Sequence, residues 1–174
     1  MIIRAARPED AGGIARVHVQ SWRSTYRGLV PDEYLAKLSV EARERFWNRQ
    51  LEKSPNAENV VLVAENESGA IAGFVSGGPQ RDEGLDYRGE LYAIYLLEDA
   101  QGRGAGRGLM QALARELHAA GYRDLMLWVL TTNRSRQFYE HMGGQFITTK
   151  AVEIGGAPLK EAAYGWPDIG VLLQ

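Results

Sequence analysis

The chain has 174 residues, 45% hydrophobic and 24% charged, with a formal charge of -2 and no cysteine. That size and balance predict one domain spanning residues 1–174 with room for a sizeable core. They exclude disulfides, thiolate metal sites and a cysteine nucleophile, and they leave no global electrostatic case for a nucleic-acid partner.

The opening Met1-Ile2-Ile3-Arg4 lacks the basic and apolar regions of a signal peptide. No run approaches the roughly 18 apolar residues of a membrane span, so the expected location is a reducing cytoplasm, away from membranes. Residues 2–5 read as a short edge strand. Pro8-Glu9-Asp10 marks a helix start, with Pro and acids suited to the first turn. Ala15, Val19, Trp22 and Tyr26 follow at helical spacing, predicting a helix to about residue 26 that Gly28 ends. Gly12-Gly13 weakens it locally. Pro31-Asp32 opens a short helix through Leu38, and Ser39 caps another carrying Phe46, Trp47 and Leu51.

Strands take over after Pro55. Residues 60–64 and 71–76 form β-branched runs around the turn Glu67-Ser68-Gly69, predicting a hairpin. Residues 77–88 read as a polar loop. Residues 90–97 are apolar on both faces, which suggests a central strand. A helix over 103–120 sets Leu109, Leu113 and Leu117 on one stripe and stops at Gly121. Residues 125–130 form another buried strand. Asn133 opens a helix to about His141, closed by Gly143-Gly144. Two strands, 146–154 and 159–164, meet across Gly155-Gly156. This order predicts an α+β fold: a mixed, mostly antiparallel sheet with one parallel central pair, flanked by helices.

The most informative stretch is Gln101-Gly102-Arg103-Gly104-Ala105-Gly106, between a strand and a helix. Glycines 104 and 106 leave a backbone without Cβ for an anion to approach, and the helix start supplies unpaired N–H groups and a positive dipole end. Such a cradle usually holds phosphate. Nothing here supplies the Lys-Ser/Thr of a Walker loop. The dinucleotide count fails as well, because Leu109 stands where its third glycine belongs, and Asp124 mimics the ribose acid by chance.

Gln101-x-x-Gly104-x-Gly106 resembles the acetyl-CoA pyrophosphate loop of the GNAT superfamily of N-acetyltransferases, which follows the fourth strand and opens the third main helix. Residues 91–96 resemble that family's fourth strand. Asn133 with Ser135-Arg136-Gln137-Phe138-Tyr139-Glu140 resembles its second cofactor motif. Val17-His18-x-x-Ser21-Trp22-x-x-x-Tyr26-x-Gly28 resembles a bacterial subgroup that includes PaiA-type polyamine acetyltransferases.

The resemblance implies a role for each matching residue, and most have a plainer reading beside it. Residues 102 to 107, with Gln101, would hold the diphosphate. Arg103 and Arg107 are either solvated helix charges or phosphate partners. Ile94, Tyr95 and Leu96 would pair with the pantetheine arm, with an N–H near Ile94 or Tyr95 on the thioester oxygen. Asn133 is either a plain N-cap or a contact to the cofactor arm, where Arg136 would also lie. Tyr139 is either core or the acid that protonates the departing sulfur. Glu90 is either a solvated strand-end acid or the base for the amine, directly or through water. Asp82, Glu83 and Asp86 form a polar loop that could draw a cationic amine inward. Trp22 and Tyr26 fill the core or wall the substrate site. His18, His118 and His141 have no metal-ligand spacing, so no metal is expected.

The implied activity is acetyl transfer from acetyl-CoA to a primary amine, a small one such as a polyamine, in a ternary complex. Three rivals stand beside it: a non-catalytic acyl-CoA-binding sensor, a regulatory or interaction protein on the same scaffold, and an acetyltransferase acting on protein amines. Dimers are common in such families, so a homodimer is compatible with the sequence.

Overall fold

A computed structural model describes residues 1–53 and 58–174. In chain order it contains β1 (Ile2–Ala5), α1 (Ala11–Thr25), α2 (Asp32–Ala36), α3 (Val40–Glu52), β2 (Val60–Glu65), β3 (Ile71–Pro79) and β4 (Gly89–Leu96). There follow α4 (Ala105–Ala119), β5 (Leu125–Leu130), α5 (Ser135–His141), β6 (Gln145–Ile154) and β7 (Ala157–Trp166). The seven strands make one sheet in the order β1-β2-β3-β4-β5-β7-β6. Among the strand pairs of the described residues, only β4 and β5 run parallel. This is the expected mixed sheet with its parallel central pair.

Strand alternation sends side chains to two cores. In β2, Leu62 and Ala64 meet the α4 stripe of Leu109, Leu113 and Leu117, while Val61 and Val63 meet Ile14, Val17 and Trp47 of α1 and α3. The helices therefore cover both faces of the sheet. A third cluster joins Tyr26, Val30, Leu35 and Leu130 at the end of α1. Among the described residues no helix is long and apolar enough to cross a membrane.

Several boundaries differ from the sequence reading for local reasons. Pro8–Asp10 is a 3-10 turn rather than the first turn of α1, because the Asp10 carboxylate accepts from Arg4 at 2.7 and 3.0 Å and from the Arg7 N–H at 2.7 Å. Strand β3 continues through Gly77 and Gly78 to Pro79, inside the expected loop, because these residues pair with the start of β4. Helix α4 begins at Ala105, since Gly104 adopts a left-handed φ of 81°. Helix α5 begins at Ser135, whose N–H donates to Asn133 Oδ1 at 2.8 Å. The 3-10 turn Ile169–Leu173 at the C-terminus, which packs Ile169 and Leu172 into the α4 core, had no sequence signal. Pro55 lies outside the described residues.

His18 sits among the rings of Trp22, Trp47, Phe74 and Tyr95, with centroids 5.5–6.3 Å away. Its Nδ1 has no hydrogen-bond partner among the described residues. Burial, with some help from Arg43, pushes its pKa down to about 3. The ring is therefore neutral in the fold and takes a proton readily only when unfolded. Its contribution is complete above the unfolded pKa of about 6.5 and is lost as pH falls toward 3. Replacing His18 with Leu is expected to remove about 1.5 kcal/mol of the stability difference between pH 6.5 and pH 5, measured by urea unfolding. An unchanged difference would exclude His18 as a source of acid sensitivity.

Candidate active site

Strands β4 and β5 touch at one register pair, Glu90 with Met126, and then part. The cause lies partly in the β3–β4 ladder. Its register shifts between Ser76 and Gly77, so β4 carries one residue more than its partner, at Tyr92. An extra residue of this kind bends a strand and raises its twist. Beyond the bulge, residues 92–96 of this central strand are only half-buried. Among the described residues their backbone has no strand partner in register on the β5 side.

Two cavities flank the gap. The larger, about 860 Å³, runs from the parted strands to the α4 N-terminus. Ile94, Tyr95, Leu96, Gln101, Gly102, Gly104, Gly106, Arg107, Asn133 and Tyr139, all named from the sequence, line it. Gly102 and Gly104 have φ of 71° and 81°, and a Cβ on either would meet nothing within 4 Å. No side chain caps the helix start. Among the described residues the first N–H groups of α4 therefore have no side-chain partner at the positive end of a 15-residue helix. The neighbouring glycines have other causes. A Cβ at Gly108 would lie 2.5 Å from Ile3 Cδ1, so that glycine serves the packing of α4 on β1. At Gly106 a Cβ would make ordinary contacts with Leu96 and Phe138.

The remaining cofactor residues expected from the sequence lie elsewhere. Arg103 is exposed and the Ala105 methyl is buried, so neither side chain lines the cavity, and Ala105 contributes only the first backbone N–H of α4. Arg136 is turned aside: its Nε donates to Tyr164 Oη at 3.1 Å and its Nη1 to the Thr131 carbonyl at 2.8 Å. Gln101 donates to the Leu96 carbonyl at 3.1 Å and so ties the loop to the end of β4. Asp124 has a structural task, accepting from the N–H groups of Arg88 and Gly89 at 2.7 and 3.1 Å.

Tyr139 projects from α5 into the larger cavity, its ring 5.4 Å from that of Phe138. Burial first, then Tyr26, pushes its phenol pKa up. The group stays protonated throughout the neutral range.

The smaller cavity, about 420 Å³, shares Tyr26, Leu91, Tyr92, Tyr95, Trp128 and Val129 with the first. Trp22 and Tyr26 form part of its wall, with rings 4.5 Å apart. Tyr26 is also buried in the third core cluster, with Trp22 packed against it. Glu90 lines the cavity with its side chain only 3% exposed. It is not the solvated strand-end acid of the plainer reading. Its carboxylate accepts from the Arg81 backbone N–H at 2.9 Å and from the guanidinium at 2.9 and 3.3 Å. Arg81 also lies 4.1 Å over the Tyr92 ring.

Of the loop acids, Asp82 alone reaches this cavity, held by Lys150 Nζ at 2.6 Å. Glu83 and Asp86 are exposed and outside it, because the loop turns into solvent after Asp82. Sequence reasoning missed Arg81, Trp128, Lys150 and Glu161. Glu161 had a signal: it is an acid on the same strand face as Leu159 and Ala163, within a strand otherwise rich in small and apolar residues. Lys150 and Trp128 meet only across the sheet, the ammonium 4.0 Å over the indole ring.

A family model described as the acetyltransferase (GNAT) family matches residues 19–144. The chain is 41% identical over 170 residues to the uncharacterized N-acetyltransferase YuaI of Bacillus subtilis (strain 168), covering 98% of this chain and 95% of that one. The fold matches the PaiA N-acetyltransferase of Thermoplasma acidophilum, solved in complex with coenzyme A. The TM-score is 0.71 at 20% identity, over 92% of this chain and 96% of that one. It also matches yncA of Salmonella typhimurium, solved with its cofactor acetyl-CoA, with a TM-score of 0.69 at 21% identity over 95% and 92% of the two chains.

Proposed function

The chain belongs to the acetyltransferase (GNAT) family, and on that premise we propose that it transfers an acetyl group from acetyl-CoA directly to a small primary amine of the polyamine class. The observation that carries this reading is the meeting of two cavities at the parted strands, one ending on a bare helix N-terminus and the other lined by acids. A donor with a diphosphate suits the first, and a cationic acceptor suits the second. Six residues shared by both cavities bring donor and acceptor together. With no cysteine to carry a thioester, a ternary complex is the natural course.

Each group then has a separate task. The N–H groups at Gly102 and Gly104 and at the start of α4 hold the diphosphate, with Arg107 beside it. The unpaired edge of β4 at 94–96 receives the pantetheine arm as an added strand, and Asn133 closes on it from the opposite side. An N–H near Ile94 or Tyr95 takes the thioester oxygen and the charge that develops there. Tyr139 gives its proton to the departing sulfur. The same apolar surroundings that raise the phenol pKa also disfavour a free thiolate, so burial does not by itself defeat the transfer. The polyamine class rests on the N-terminal motif and on the likeness to the Thermoplasma fold.

An amine panel assayed for free-thiol release from acetyl-CoA is expected to show turnover, highest with polyamines. Cofactor binding without turnover of any amine would mark the chain as an acyl-CoA binder and end the transfer reading. Tyr139→Phe should lower kcat about 100-fold with acetyl-CoA affinity within twofold of the parent. Unchanged kcat removes Tyr139 from the acid role. Gly104→Asn keeps a residue type that tolerates left-handed backbone while filling the open space. Its acetyl-CoA Kd, measured by calorimetry, should rise tenfold or more with little change in Tm. Parent-like affinity would place the diphosphate elsewhere.

A further inference from the structure

The acceptor cavity holds three acids and two cations that partition unevenly. Arg81 is committed to Glu90, whose carboxylate it contacts from its backbone and its guanidinium. Lys150 is committed to Asp82, at 2.6 Å. The third acid, Glu161, lies 3.9 Å from the same Lys150, with 24% of its side chain exposed. It is the carboxylate in excess. It stands on β7 opposite Leu130 of β5 and Lys150 of β6, so the sheet holds it beside the parted strands.

We propose that Glu161, rather than Glu90, is the carboxylate that receives the substrate ammonium and takes its proton. This rests on the acetyltransferase reading above and assigns its missing base. The chemistry distinguishes the two acids. The Glu90 carboxylate already accepts three hydrogen bonds from Arg81, which leaves little of it free for a substrate ammonium. A partly buried acid with a loose partner has spare lone pairs and a higher proton affinity. Among the described residues the charged and titratable groups acting on Glu161 are Lys150 from β6, Arg81 and Asp82 from the β3–β4 loop, Glu90 from β4, and Tyr26 from the end of α1. Burial first, with Asp82 and Glu90, pushes its pKa up against the opposing pull of Lys150 and Arg81.

The proton balance is simple. Glu161 takes one proton from the ammonium, and the freed nitrogen lone pair forms the C–N bond at the thioester carbonyl. The C–S bond breaks, and the sulfur receives the Tyr139 proton. The second proton shed by nitrogen restores the phenol, and the proton on Glu161 leaves to solvent. The sum is one amide, one thiol and one released proton. Glu90 is a positioning residue in this scheme. It anchors Arg81, and with it the loop that carries Asp82, at the point where β4 and β5 part.

Glu161→Gln and Glu90→Gln, assayed with spermidine or the best-used amine of the panel, separate the two roles. In the parent, kcat/KM should fall on the acid side as Glu161 protonates. Glu161→Gln should lower kcat/KM at pH 7 about 100-fold and leave acetyl-CoA Kd within twofold. Its kcat/KM should then climb about tenfold per pH unit from 7 to 9, following the neutral fraction of an amine with pKa near 10.4. Glu161→Asp, with the acid retained, should recover part of the loss and the acid limb. Glu90→Gln should keep the acid limb even if KM rises. If Glu161→Gln is active with an unaltered profile, or if the limb vanishes in Glu90→Gln alone, the assignment is overturned. If the parent acetylates no amine, the proposed function falls and takes this inference with it.

Discussion

The site depends on one break in the sheet. Parallel neighbours normally share evenly spaced hydrogen bonds along their length. Here β4 and β5 share one register pair, at Glu90 and Met126, and then separate. A gap inside a central sheet leaves backbone groups without partners, which is costly unless something else binds them. The surrounding structure holds the gap open from both sides. The extra residue at Tyr92 bends β4, and β5 is fully engaged with β7 from Leu125 to Leu130. Both cavities follow from this one departure from regular pairing.

Electrostatics then gives the two sides of the gap opposite character. The larger cavity ends on uncapped N–H groups of α4, a local positive potential built from backbone alone. The smaller cavity carries Glu90, Asp82 and Glu161 against Arg81 and Lys150, a balance that leaves one acid over. Burying Glu90 at the vertex is expensive, and the Arg81 contacts offset that cost while fixing the loop that follows β3. Aromatic faces spread the remaining charge. Arg81 lies over Tyr92 and Lys150 over Trp128.

The rest of the fold serves as a rigid frame for the gap. Helix α4 is clamped by a stripe of fully buried leucines, so its N-terminus is fixed relative to β4. Gln101 adds a direct link from the loop to the last carbonyl of β4. On the other face, α1 and α3 pack on β2 and β3, and the end of α1 places Trp22 and Tyr26 in the wall of the smaller cavity. The neutral His18 between these layers is a weak point toward acid, because its burial is not matched by a hydrogen bond at Nδ1.

What the sequence determined by itself was whatever depends on neighbours along the chain. The leucine stripe of α4, the strand runs and the glycine-to-helix cradle are all contiguous, so periodicity and turn chemistry expose them. The family motifs are legible for the same reason, and the residues they single out, Tyr139, Asn133 and the 94–96 edge, line one cavity. Only the tertiary structure decided which charges meet. Glu90 and Arg81 are nine residues apart, Lys150 and Asp82 are 68 apart, and Glu161 reaches the cavity from the far end of the chain. Arg136 turned to Tyr164, and Glu83 and Asp86 turned to solvent, against the expectation from local pattern. A side chain's direction is set by long-range packing, and its charge state by the partners that packing supplies. Neither is written in the spacing of residues along one strand or helix.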